Sequence, residues 1–117
     1  MGIVLILAVL AAMNAAAFAA ARLLLGRWPE AFAAARLSTI TFIVAMGVWM
    51  GMMQDAASAP SEATIYIVLL AVAGLAMTVL VRWRLAGASW LKALFIGIAT
   101  AAAMAGGYAG GVALFAA

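Results

Sequence analysis

The sequence predicts an all-α integral membrane protein with four transmembrane helices arranged as two antiparallel helical hairpins. Of its 117 residues, 72% are hydrophobic and only 8% are charged, and the mean hydropathy is +1.32. A soluble domain of this size has about a quarter of its residues charged. The chain instead contains four apolar stretches of about the 20 residues that a membrane-spanning helix needs. We therefore expect residues 1–117 to form a single transmembrane domain.

The four spans are predicted at approximately residues 3–25, 29–53, 61–85 and 89–116, and local signals mark their ends. Pro29 suits the first turn of a helix, where its missing N–H would be unpaired, and Glu30 complements the positive end of the helix dipole. Ser61 and Ser89 are predicted N-caps, and Gly87 fits the position that follows a helix. Because the first and third connections are short, each half of the chain is expected to form a hairpin.

The two halves of the chain resemble each other weakly, so they could have arisen by an internal duplication. The segment IVLILAVLAAM at residues 3–13 resembles IVLLAVAGLAM at residues 67–77, but the gaps between the matching features differ. Apolar helices resemble each other through composition alone.

The basic residues predict the orientation in the membrane. They flank the first and third connections, whereas the middle connection carries Asp55 and Glu62 and no lysine or arginine. The positive-inside rule places the first and third connections in the cytoplasm and both termini outside. Trp28, Trp83 and Trp90 lie at the same boundary, as an aromatic belt would. The candidates for binding lipid headgroups are Arg22, Arg27, Arg36, Arg82, Arg84 and Lys92.

Arg22 and Arg36 lie within the predicted spans, one to two turns from the nearest end. Their long side chains are expected to reach the lipid phosphates along apolar surface. The alternative interpretation is that they form a site for an ion or a lipid headgroup between the first two helices. Neither reading calls for a nucleic-acid partner.

The segment GGYAGG at residues 106–111 is predicted to pack helices rather than to hold a phosphate. A phosphate-binding loop needs a strand before it and a helix start after it, whereas this segment is surrounded by apolar residues. Within a membrane, small residues four apart allow two helix backbones to approach closely. The predicted packing positions are Gly47, Gly51, Gly106, Gly107, Gly110 and Gly111.

The chain has no cysteine and no histidine, which removes thiolate sites and the commonest general base and haem ligand. No cofactor and no metal site are therefore predicted. One alternative stays open, since Met46, Met50 and Met53 fall on one helix face and thioethers select Cu(I). The other interpretation is that these methionines fill irregular apolar gaps.

Four spans in a short chain are similar to the small multidrug resistance transporters, but that family depends on a glutamate in its first helix. Here the first span offers only Asn14, and the charge bias is too strong for dual insertion, so the resemblance is rejected.

The predicted function is that of a non-catalytic accessory or structural subunit of a larger membrane protein assembly. This prediction is based on two observations: the sequence has no set of residues typical of a catalytic site, and its helices have many small-residue faces. The expected partners are membrane lipids and other membrane subunits or copies of the chain itself. The alternative is a small homo-oligomeric channel or transporter lined by Asn14 and the threonines. The alanine-rich composition suits a GC-rich bacterial genome, so a bacterial inner membrane is expected.

Overall fold

A computed structural model of the chain describes residues 2–54, 61–85 and 88–116. These residues form four helices: α1 (Gly2–Leu25), α2 (Trp28–Met52), α3 (Glu62–Arg84) and α4 (Trp90–Ala116). Each boundary differs from the predicted span by at most one residue. All four helices are long and apolar enough to cross a membrane. The all-helical class is therefore confirmed, and the four apolar helices indicate a multi-pass membrane protein.

The connection between α1 and α2 consists of Gly26 and Arg27. Gly26 has a φ of 72°, and its amide donates a hydrogen bond of 3.0 Å to the Arg22 carbonyl oxygen. Glycine adopts this left-handed conformation without a steric penalty, which allows α1 to end here. Pro29 and Glu30 lie in the first turn of α2, as predicted.

The predicted serine caps are also present. The Ser61 hydroxyl accepts a hydrogen bond of 3.3 Å from the Thr64 amide at the start of α3. The Ser89 hydroxyl accepts one of the same length from the Lys92 amide at the start of α4. Each serine satisfies one of the backbone N–H groups that a helix start leaves unpaired. Gly87 lies outside the residues that the structure describes.

Contacts between the helices run around the bundle. α1 packs against α2 and α4, and α3 packs against α4 and α2. The contact between α1 and α4 is the most extensive, and that between α2 and α3 is the least extensive of these four. Because every helix has two neighbours, the division of the bundle into two hairpins stays a prediction.

A buried core joins all four helices where α1 and α3 end and α2 and α4 begin; this region is called the basic end, after the arginines around it. Half of the core residues are alanines, so the helices approach each other closely. The core consists of Ala17, Ala21, Ala34, Leu37, Met77, Val81, Leu85, Ala88, Ala93 and Ile96.

Gly97 marks the closest approach between α3 and α4. A Cβ atom at this position would collide with the Thr78 hydroxyl and would lie 2.7 Å from the Gly74 carbonyl oxygen. Only a hydrogen atom fits there. Gly97 and Gly74 were not among the predicted packing positions, although both are glycines of helix-packing surfaces.

Candidate functional site

The predicted packing glycines of α4 divide into two pairs that face different ways. A Cβ atom at Gly107 would lie 3.1 Å from Ala12 Cβ and 3.2 Å from Val9 Cα, so this glycine lies directly against α1. A Cβ atom at Gly111 would collide with the Leu5 side chain. These two positions therefore pack α4 within the chain.

The other pair on α4, Gly106 and Gly110, faces outward. A Cβ atom at either position would meet no heavy atom within 4 Å, and the same is true of Gly47 and Gly51 on α2. All four residues are exposed. They form two open small-residue faces, called here the outer glycine faces (Gly47 with Gly51, and Gly106 with Gly110).

A cavity of about 580 Å³ lies between the helices at the end of the bundle opposite the basic end. α2 supplies the longest wall, with aromatic, methionine and alanine side chains at the spacing of one helix face. The other three helices complete the enclosure. The wall residues are Phe42, Ala45, Met46, Trp49 and Met53 on α2; Leu5, Ile6 and Val9 on α1; Ile65, Tyr66 and Leu69 on α3; and Met104, Ala105 and Tyr108 on α4.

The exposure of the cavity wall varies along the bundle. Its wall residues Trp49, Met53 and Tyr108 are 39–44% exposed, whereas Val9 and Ala45 are buried. One to four residues beyond the innermost wall residue of each helix lies a fully buried residue. These four residues are called here the cavity floor (Met13, Thr41, Ala73 and Thr100).

Two of the three clustered methionines belong to this cavity. Met46 and Met53 line it, but Met50 is 63% exposed and is not part of the wall. Met50 thus lies on a more exposed side of α2 than Met46 and Met53 do. The Tyr66 and Tyr108 rings pack edge to face across α3 and α4 with their centroids 5.4 Å apart. The spacing of Phe42, Met46, Trp49 and Met53 along the sequence was the signal for this wall.

The basic end pairs arginines with the predicted tryptophan belt. The Arg22 guanidinium carbon lies 4.6 Å from the centroid of the Trp28 ring. Such cation–π contacts contribute about 0.5–2 kcal/mol, depending on desolvation. The Arg22 Nε atom is buried and has no hydrogen-bond acceptor within the part of the chain that the structure describes.

The remaining basic residues reach the surface. Arg82 lies over Trp90 at 5.4 Å, and Arg84 lies over Trp83 at 4.6 Å. Arg36 and Lys92 are exposed, and Arg27 forms an ion pair of 3.3 Å with Glu30. The binding of lipid headgroups by these residues stays a prediction.

The burial of Glu30 and Ser38 was missed by the sequence analysis. Glu30 is only 9% exposed, and it lies on the same face of α2 as Ala34 and Ser38. Ser38 is fully buried, and its hydroxyl has no hydrogen bond with any described residue. The i, i+4 and i+8 spacing of these three residues could have revealed the shared face.

Most polar groups of the bundle interior are bonded to their own helix. The hydroxyls of Thr41, Thr78 and Thr100 donate to the carbonyl oxygens four residues earlier at 2.9, 2.6 and 2.8 Å. The Thr39 hydroxyl donates a hydrogen bond of 3.3 Å to Asn14 Oδ1, which joins α2 to α1.

No protein-family model matches the chain, and no curated protein or solved structure matches it either. The functional argument therefore depends on the geometry of the chain itself.

Proposed function

We propose that the chain is a non-catalytic accessory or structural subunit of a larger membrane protein assembly. The observation that carries this proposal is the pair of outer glycine faces. Lipid tails are as apolar as leucine, so helices in a membrane associate through close backbone contact rather than by hiding apolar surface. The open space beside Gly47, Gly51, Gly106 and Gly110 allows a partner helix to make that contact.

The interior chemistry supports a role without catalysis. The buried threonine hydroxyls bond helix carbonyls. Glu30 forms an ion pair of 3.3 Å with Arg27, but its Oε2 atom, like the Ser38 hydroxyl, makes no hydrogen bond with a described residue. Among the described residues, no group of three or more histidine, cysteine, aspartate or glutamate side chains could hold a metal ion. The partners proposed are other membrane subunits, with lipid headgroups at the basic end.

We also propose that the four helices form two antiparallel hairpins in a bacterial inner membrane and that they have a defined orientation there. The first and third connections face the cytoplasm, and both termini and the middle connection face outside. The support is the shared location of the arginines and of Trp28, Trp83 and Trp90 at the basic end.

A second candidate, a small homo-oligomeric channel or transporter, is favoured by the cavity between the helices. A path through one chain would have to cross the cavity floor, where Met13, Thr41 and Thr100 are fully buried. Transport would therefore require the helices to separate below the cavity. This requirement is the reason for placing the subunit role first.

The test replaces the outer glycine faces by leucine in two double variants, Gly47→Leu with Gly51→Leu and Gly106→Leu with Gly110→Leu. Each variant stays apolar enough to insert, but leucine fills the space that a partner helix would occupy. The matched control is Ala15→Leu with Ala19→Leu, an exposed small pair of the same spacing on α1.

The chains that co-purify after gentle detergent extraction are identified by mass spectrometry, and assembly is followed by native electrophoresis. We expect foreign subunits to co-purify with the parent and the control and to be lost from at least one glycine variant. Assembly of both glycine variants like the parent would contradict the proposal. A pure homo-oligomer that conducts ions in liposomes would support the channel instead.

A further inference from the structure

We propose that the cavity is a binding site for one acyl chain of a membrane phospholipid. This site does not depend on the subunit role, because its wall comes entirely from the interior faces of one chain. Three observations carry the inference: the apolar lining of the cavity, its length, and the lack of acidic or basic side chains among its described wall residues.

The lining excludes a stable filling of water. A buried water molecule needs two to four polar partners, and apolar cavities without them stay dry or bind apolar molecules. Of the wall residues, only Trp49, Tyr66 and Tyr108 carry a polar side-chain atom. The volume of about 580 Å³ falls within the range of about 300–1,000 Å³ that is typical of small-molecule sites.

The length of the cavity matches half of a bilayer. Its wall on α2 runs from Phe42 to Met53. At a rise of 1.5 Å per residue this is about 16 Å. The hydrocarbon core of a bilayer is about 30 Å thick, so one leaflet contributes about 15 Å. The cavity floor at Thr41 thus lies close to the midplane, where the acyl chain of a lipid in that leaflet ends.

The shape of the cavity suits a flexible chain. Side chains of all four helices form its wall, which extends over about 16 Å along α2. A hydrocarbon chain has no side chains of its own that would have to fit between them. A helix seated in the cavity is the other occupant, and the mass of what remains bound distinguishes the two.

The cavity is expected to recognise the acyl chain of the lipid rather than its headgroup. Among the described wall residues of the cavity none is acidic or basic, and Arg22, Arg82 and Arg84 lie at the basic end. Zwitterionic and anionic phospholipids with the same acyl chains should therefore bind alike. Tyr108, which is 39% exposed, supplies a hydroxyl to the cavity wall.

The first test is to fill the cavity and to measure retained lipid. Ala45→Phe and Ala105→Phe each place a ring in the wall, whereas Ala71→Phe and Ala102→Phe place one on exposed faces of α3 and α4. The protein is extracted and washed in mild detergent, and native mass spectrometry reports lipid bound to each intact chain.

We expect one phospholipid to remain on the parent and on the two surface variants, and to be lost from both cavity variants. Retention by the cavity variants, or a parent without lipid, would overturn the proposal. An adduct with the mass of a free apolar compound would overturn the assignment to a phospholipid.

A second measurement needs no substitution in the cavity. Two single-tryptophan chains are made by replacing the other tryptophans by phenylalanine, one keeping Trp49 in the wall and one keeping Trp83 at the basic end. Phosphatidylcholine or phosphatidylglycerol with brominated acyl chains is titrated into each chain in detergent. Quenching of Trp49 should saturate at one lipid per chain with either headgroup. Equal quenching of Trp83, or quenching of Trp49 without saturation, would overturn the site.

Discussion

Arg22 shows how this chain keeps a cation within an apolar helix. Its guanidinium carbon lies 4.6 Å from the Trp28 ring centroid, and its Nε atom is buried. The ring face supplies electrostatic attraction that the surrounding alanines cannot offer. Arg36, by contrast, is exposed and stands on the next helix. The two arginines that the sequence treats alike therefore have different surroundings.

Lysine should replace either arginine with little loss of stability. Because the Nε atom of Arg22 makes no hydrogen bond with a described residue, its removal leaves no partner unpaired. A lysine ammonium also binds an aromatic face and reaches the headgroups. For Arg22→Lys and Arg36→Lys we expect changes in the free energy of unfolding of about 0.5 kcal/mol or less.

The measurement is denaturant unfolding in micelles followed by circular dichroism, together with the amount of protein in the membrane. Arg36→Lys acts as the exposed reference. If Arg22→Lys alone failed to accumulate or lost its co-purifying chains, a bidentate contact specific to arginine would replace headgroup anchoring.

The helix α4 packs closely against two neighbouring helices. It meets α3 at Gly97 and α1 at Gly107, in both places with backbone or Cβ atoms of the neighbour within about 3 Å of the missing Cβ. The small-residue pattern predicted that α4 packs tightly. It could not select Gly97, because in a chain this rich in alanine and glycine small residues four apart occur on several faces.

Gly97→Ala should therefore destabilise the bundle, because the added methyl group would collide with Thr78 and approach the Gly74 carbonyl oxygen at 2.7 Å. Overpacking of this kind costs about 1–3 kcal/mol. The control is Gly47→Ala, whose Cβ would meet nothing within 4 Å. Both changes gain the same helix propensity, about 0.5–1 kcal/mol, so their difference isolates the collision.

The free energy of unfolding of both variants is measured in the same micelles. We expect Gly97→Ala to be less stable than Gly47→Ala. Equal stability would mean that α3 and α4 are farther apart than the structure places them.

On the scale of the whole molecule, the bundle is closely packed at the basic end and hollow at the other. The sequence is sufficient to predict four spanning helices, because apolar length and capping residues act locally. It is not sufficient to predict the cavity. Phe42, Met46 and Trp49 could either face a gap or interdigitate with side chains of the other helices. The outcome depends on the angles between the helices, which the side-chain volumes of all four helices determine together.

The predicted orientation can be tested with two matched cysteines in a chain that has none. Ser61 and Ser89 are both exposed N-caps, at the starts of α3 and α4, so replacing either by cysteine removes the same kind of hydrogen bond. With the basic end in the cytoplasm, an impermeant maleimide should label Ser61→Cys in intact spheroplasts. It should label Ser89→Cys only after permeabilisation. The opposite pattern would reverse the orientation.

The Gly26–Arg27 connection also constrains where the two helix ends that it joins can lie. Two residues span at most about 7 Å, far less than the thickness of a bilayer. In any bilayer that both helices cross, the end of α1 and the start of α2 therefore lie at the same surface. A reagent confined to one side of the membrane should accordingly find both helix ends or neither.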